Sequence, residues 1–117
     1  MHNFRELEVW KKSIVLCKEY YILSKEFPKD EMFGLVSQSR RSLYSIPSNI
    51  AEGAGRDSDP QFCQFLNIAL GSAFEFETQI IIANDLEFLN NEKFEFLMYE
   101  IRHIQNMIIK LKQNYSK

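Results

Sequence analysis

Glycine and proline are scarce in this 117-residue chain, at four and three residues respectively. That is too few turn formers for a loop-rich or all-β protein. Cysteine is scarcer still. Cys17 and Cys63 have neither CxxC nor metal-ligand spacing, and each stands among apolar residues, so both are expected as free, buried thiols. No apolar run approaches the ~18 residues of a membrane-crossing helix. The opening Met1-His2-Asn3-Phe4-Arg5-Glu6 holds no apolar signal core. A reduced, cytoplasmic setting and no membrane partner are the resulting expectations. Catalytic signals are thin. Gly53-Ala54-Gly55 resembles neither a phosphate loop nor a dinucleotide fingerprint. His2 lies at a terminus, and His103 is flanked by Arg102 and Ile104. No enzyme, metal or cofactor is expected.

Positive charge is absent from one long stretch. Residues 57–89 carry six acids (Asp57, Asp59, Glu75, Glu77, Asp85, Glu87) and no Lys or Arg. Residues 1–29 carry six bases against four acids, and residues 90–117 five against three. The net charge of −2 is the wrong sign for a protein that coats nucleic acid. The uneven distribution instead predicts an acidic third helix and basic faces elsewhere, suited to docking between helices or subunits.

What the chain has in plenty is helical periodicity. Helix 1 is predicted over about 7–26, with one stripe at Leu7, Trp10, Ile14, Cys17 and Tyr21 and a second at Val9, Leu16, Tyr20, Leu23 and Phe27. Together these span roughly 200°, wider than one core needs, which points to a second buried surface and hence oligomerisation. Pro28 ends it. Helix 2, about 31–52, carries Met32, Val36, Ser39, Leu43, Ile46 and Ile50, with Pro47 inside the pattern and a kink expected there. Helix 3, about 59–88, opens on the capping box Ser58-Asp59-Pro60-Gln61 and carries Phe62, Leu66, Ala69, Ala73, Phe76, Ile80 and Ala83. Gly71 costs it about 1 kcal/mol relative to Ala, and close approach of another backbone is the expected return. Helix 4, about 92–115, repeats Phe94, Leu97, Ile101, Ile104, Ile108, Leu111 and Tyr115 at heptad-seam spacing. Four such helices with short turns predict one all-α domain over 1–117, an antiparallel up-down-up-down four-helix bundle.

Helix 2 and the start of helix 3 also carry a resemblance. The strings Gly34-Leu35-Val36-Ser37-Gln38-Ser39-Arg40-Arg41, Ser45-Ile46-Pro47-Ser48-Asn49-Ile50-Ala51-Glu52-Gly53 and Phe65-Leu66-Asn67-Ile68-Ala69-Leu70-Gly71-Ser72, with the opening Phe4-Arg5-Glu6-Leu7-Glu8-Val9-Trp10, resemble the 23S rRNA intervening-sequence proteins. The genes of that family were noticed inside insertions in bacterial 23S rRNA genes. The resemblance covers nearly the whole chain and implies a left-handed antiparallel bundle that assembles as a homopentamer. A related branch, the accessory proteins of diversity-generating retroelements, is strongly basic, binds RNA or DNA and partners a reverse transcriptase. This chain departs from that branch in being slightly acidic.

Two sets of residues are candidates for function. Arg40, Arg56, Lys11, Lys12 and Lys18 could contact nucleic-acid backbone, with Lys110, Lys112 and Lys117 at the far end and Phe4 and Tyr44 available to stack bases. Arg41, Ser45, Ser48 and Glu52 share one face of helix 2 beside Asn49. A polar network of Arg41, Ser45, Asn49, Glu52 and Glu75 is expected, with Arg41 meeting Glu75 across the helix 2–helix 3 interface and fixing register. A homo-oligomer with an RNA or DNA partner is one expectation. A scaffold for proteins, with charges serving subunit contacts, is the other.

Overall fold

The structure is a computed structural model and describes residues 1–116. Four α-helices pack on one another, α1 (Glu8–Leu23), α2 (Ser37–Ala54), α3 (Asp59–Asp85) and α4 (Asn91–Tyr115), with short 3-10 turns before and after α1. The contacts follow a fixed register. On α1 and α2, Cys17 meets Leu43 and Tyr20 meets Ser39, while Ser24, in the turn after α1, meets Arg40. On α2 and α3, Ser42 meets Glu75 and Ser45 meets Ser72. Between α1 and α2 the pairs 17–43 and 20–39 run in opposite senses, as do 42–75 and 45–72 between α2 and α3. This is an all-α four-helix bundle.

Local chemistry sets the helix ends. Ser58 Oγ accepts from the Gln61 amide at 3.4 Å, with Pro60 in the first turn of α3. Asn90 Oδ1 accepts from the Lys93 amide at 2.8 Å to start α4. α3 stops at Asp85, before the expected 88, because Glu87 turns into the left-handed region at φ 65°. The Glu87 and Phe88 amides then donate back to Asn84 and Ala83, satisfying the last carbonyls without glycine.

The beginning of the second helix also differs from expectation. Lys29–Glu31 forms a 3-10 turn and Met32–Val36 a wider, π-type turn in which Gly34 leaves helical dihedrals at φ −111°, ψ −108°. That break moves Met32 out of the core stripe. Met32 is exposed and its neighbour Phe33 is 95% exposed, while Val36, Ser39, Leu43, Ile46 and Ile50 remain buried.

α2 runs through Pro47 without interruption. Pro47 lacks an N–H, so the carbonyl one turn back, on Leu43, loses its helical donor. The Cys17 thiol of α1 approaches that carbonyl at 3.7 Å and donates to it. Burial pushes this thiol from an ordinary 9.0 up to about 12, so it keeps the proton it donates. Next to it, the Tyr20 hydroxyl lies 2.7 Å from Ser39 Oγ, and its ring meets Phe76 edge-on at 4.9 Å. Burial raises Tyr20 from 10.0 to about 12, against the pull of the Ser39 hydrogen bond and of Arg40.

The closest helix approach is at Gly53. A Cβ there would lie 2.5 Å from Phe65 Cβ and 3.1 Å from Phe62, and Gly53 is buried. Gly71 was the expected crossing point, yet a Cβ there would meet nothing within 4 Å. α3 is also long and apolar enough to cross a membrane, with mean hydropathy 1.2 over its most apolar window. In this fold it is a bundle helix, with Glu75 and Glu77 bonded to neighbours in its middle.

Two outcomes follow. Gly53→Ala should destabilise the fold by about 1–3 kcal/mol despite its better helix propensity, because α2 and α3 must separate; chemical denaturation measures it. For pH, the raised thiol and phenol leave the unfolded chain binding fewer protons than the folded chain once pH exceeds 9. Stability is therefore full below pH 9 and is lost between about 9 and 12. Melting temperatures should decline over that window, and Cys17→Ala should make the early part of the decline shallower.

Candidate interaction surface

The bundle distributes the candidate bases over several faces and engages most of them within the chain. Lys11 pairs with Glu8 at 3.3 Å on the same helix. Lys12 reaches across to Glu100 of α4 at 2.8 Å. Arg56 pairs with Glu52 at 3.2 Å and lies over the Phe65 ring. Arg40 donates to Ser24 Oγ at 2.8 Å and to the Tyr21 carbonyl at 3.0 Å, and stacks on the Tyr21 ring. Lys110 is exposed on α4, Lys112 is half-buried, and Lys117 lies outside the described residues. Phe4 is half-buried, edge-on to Trp10. Lys18 and Arg41 are exposed and have no ion-pair partner among the described residues.

The polar network forms in part and with other members. Asn49 Nδ2 donates to the Ser45 carbonyl and hydroxyl at 2.8 and 2.9 Å, and Ser45 Oγ lies 2.9 Å from Ser72 Oγ. One turn earlier, Ser42 Oγ donates to Glu75 at 2.8 Å. Arg41 does not meet Glu75. Position 41 is two residues from the buried Ser39, about 200° around the helix, so its side chain faces outward. Glu52 also faces outward, to Arg56. Ser42 and Ser72 were missed by sequence reasoning. The available signal was their small size on two long helices, which lets hydroxyls meet across a close seam.

Two outer surfaces stand out among the described residues. The first is a groove between α1 and α2. Cys17, Lys18, Tyr21, Ile22 and Tyr44 line a concavity of about 490 Å³. Tyr44 also borders a second concavity of about 610 Å³, on α2 and the turn before it, lined by Phe33, Arg40, Arg41 and Ser48. Partial burial raises the Tyr44 hydroxyl above its ordinary value, against the pull of Arg40. Lys25 caps the Tyr21 ring at 4.9 Å. The walls are aromatic and the rim is basic.

The second surface is the outer side of α3. Ile68, Phe74, Ile81, Ile82 and Leu86 are 40–55% exposed there, with Gly71 between the first two. This stripe was legible as the apolar positions left over once the α3 core seam was assigned. Catalytic geometry is sparse. His2 lies 3.3 Å from Asp59 and stacks on Phe62 and Tyr115. Glu100 and His103 do stand at Glu-x-x-His spacing, against the expectation that His103 has no acid at metal-ligand spacing. Glu100 is engaged by Lys12, and His103 stands beside Tyr99. Among the described residues no group of three or more His, Cys, Asp or Glu could hold a metal.

The class these features define is a four-helix bundle with two unlike exposed surfaces. The family model for the 23S rRNA-intervening sequence protein matches residues 5–110, and the chain belongs to that family. Its fold is similar to a crystal structure from Bacteroides thetaiotaomicron VPI-5482, described as a protein with unknown function from the S23 ribosomal protein family. The two are 27% identical, the match covers 90% of this chain and 95% of that one, and the TM-score is 0.83. The comparison with curated proteins finds no match.

The seam and the outward arginine separate in a stability test. Ser45→Ala should cost about 1–2 kcal/mol, since it leaves Asn49 and Ser72 each short of a partner. Arg41→Met should stay within about 0.5 kcal/mol of wild type in the same denaturation experiment, as surface substitutions do.

Proposed function

We propose that this chain is a non-enzymatic scaffold that works in the cytoplasm as a homo-oligomer. The observation that carries the reading is the exposed apolar stripe of α3, because contiguous apolar surface of this kind marks a protein contact. The surplus apolar arc of α1 supports it, with Val15, Tyr21 and Ile22 left in solvent by the single protomer. Two free cysteines, one of them held protonated, suit a reducing compartment. The homopentamer implied by family resemblance is the assembly we propose.

RNA or DNA is the second reading, favoured by the unpaired Lys18 and Arg41 on one basic, aromatic face. It is the weaker one. Lys11, Lys12 and Arg56 are neutralised by acids of their own chain, and nucleic-acid backbones need several free bases on one surface.

Light scattering on purified protein at micromolar concentration should give a mass near five times the 13.9 kDa protomer. A mass of one protomer would remove the scaffold reading. Fluorescence anisotropy with a structured RNA and an unrelated single strand should show no salt-steep binding. Tight binding that weakens steeply with salt and is lost in Arg41→Ala would put the nucleic-acid reading in its place.

A further inference from the structure

Gly71 is unexplained inside one protomer. It weakens α3 at mid-helix, and no side chain or neighbouring helix comes within 4 Å of where its Cβ would be. Ile68 and Phe74, three residues to either side, project apolar surface around it. The arrangement is a gap between two knobs, the shape that lets another helix approach closely.

The charges select what approaches. Residues 57–89 contain no Lys or Arg, so α3 against α3 of a second copy would set Glu75 and Asp85 against their own kind. The surface of opposite character on the same molecule is the α1–α2 groove. It has aromatic and aliphatic walls at Tyr21, Ile22 and Tyr44, with Lys18 on its α1 side and Arg41 on α2 just beyond Tyr44, both without an ion-pair partner among the described residues. The α3 stripe from Ile68 to Ile82 runs about 21 Å along its helix, long enough to lie in such a groove.

We infer that the outer stripe of α3 in one copy seats in the α1–α2 groove of the next, with Gly71 at the crossing. This rests on the scaffold reading and deepens it by naming the partner surface. The contact is head-to-tail. Each protomer keeps one unused stripe and one unused groove until a ring closes or a filament grows.

Gly71→Leu tests the crossing directly. The leucine meets open space in the protomer and improves helix propensity, so circular dichroism should report a folded, cooperatively melting chain. Light scattering should nevertheless report loss of the assembly. Lys18→Glu with Arg41→Glu, both exposed, should also leave a folded monomer. Mixing the two variants should then yield a one-to-one heterodimer, since the first keeps its groove and the second its stripe. Assembly that survives Gly71→Leu overturns the inference while leaving the scaffold reading standing. So does assembly of the groove variant on its own, which would mean that stripe meets stripe. A wild-type chain that is monomeric removes the scaffold reading and this inference with it.

Discussion

Phe65 occupies the space where a side chain at position 53 would be, and that contact holds α2 against α3 closely enough for everything around it. Because the backbones approach there, short side chains can reach across the rest of the seam: Ser45 to Ser72, and Ser42 to Glu75. Farther from the seam, α2 presents Leu43 to α1, where the carbonyl left free by Pro47 accepts from Cys17. α2 is thus fastened on both sides by groups whose hydrogen bonds would be lost if it moved. An orphaned carbonyl in the core costs more than a made hydrogen bond returns, so such fastenings specify position more than they add stability. The outward direction of Arg41 and Tyr44, and with it the basic groove, follows from this fixed rotation of α2.

The fold was legible because burial leaves a periodic trace. All seven α3 seam positions, Phe62 through Ala83, are buried, and four of the seven in α4 are fully so, with the rest half-buried toward the ends. What was not legible depended on single backbone dihedrals or on a choice between equivalent residues. Met32 fits the helix 2 stripe by spacing, but Gly34 breaks the helix between them. Glu87 ends α3 in a conformation that sequence patterns assign to glycine or asparagine. Gly53 and Gly71 look alike in sequence as candidates for close approach, and only the packing shows that one is filled and the other open. The Arg41–Glu75 pair failed for a related reason. Opposite charges on adjacent helices are common, and which of them meet depends on rotation about the helix axis.

Charge separates the two surfaces by a different logic. Bases on α1 and after α2 are largely matched by acids within a few ångströms, on their own helix or on α4. A cation already matched gives little to a passing phosphate, and an exposed pair gives little to stability. The acids of α3 are mostly unmatched by Lys or Arg, because none stands between positions 57 and 89. The field of the protomer is therefore lopsided, with a negative apolar side and a positive aromatic groove. The chain shares its bundle with a structure 27% identical to it, so one frame carries widely different surface residues.

The ion pairs from Lys12 to Glu100 and from Glu26 to Lys93 join the first helix and the turn after it to the last helix. Each closes a loop of more than half the chain's length, so each carries a larger closure entropy than the pairs within one helix. During synthesis α1 and α2 can meet as soon as both have left the ribosome. The far side of α1 stays bare until α4 follows. Closure of the bundle waits on these contacts, the most distant in sequence that its ion pairs make. Until it occurs, the apolar surface of α1 is held only from one side, and that interval is the chain's exposure to misassembly.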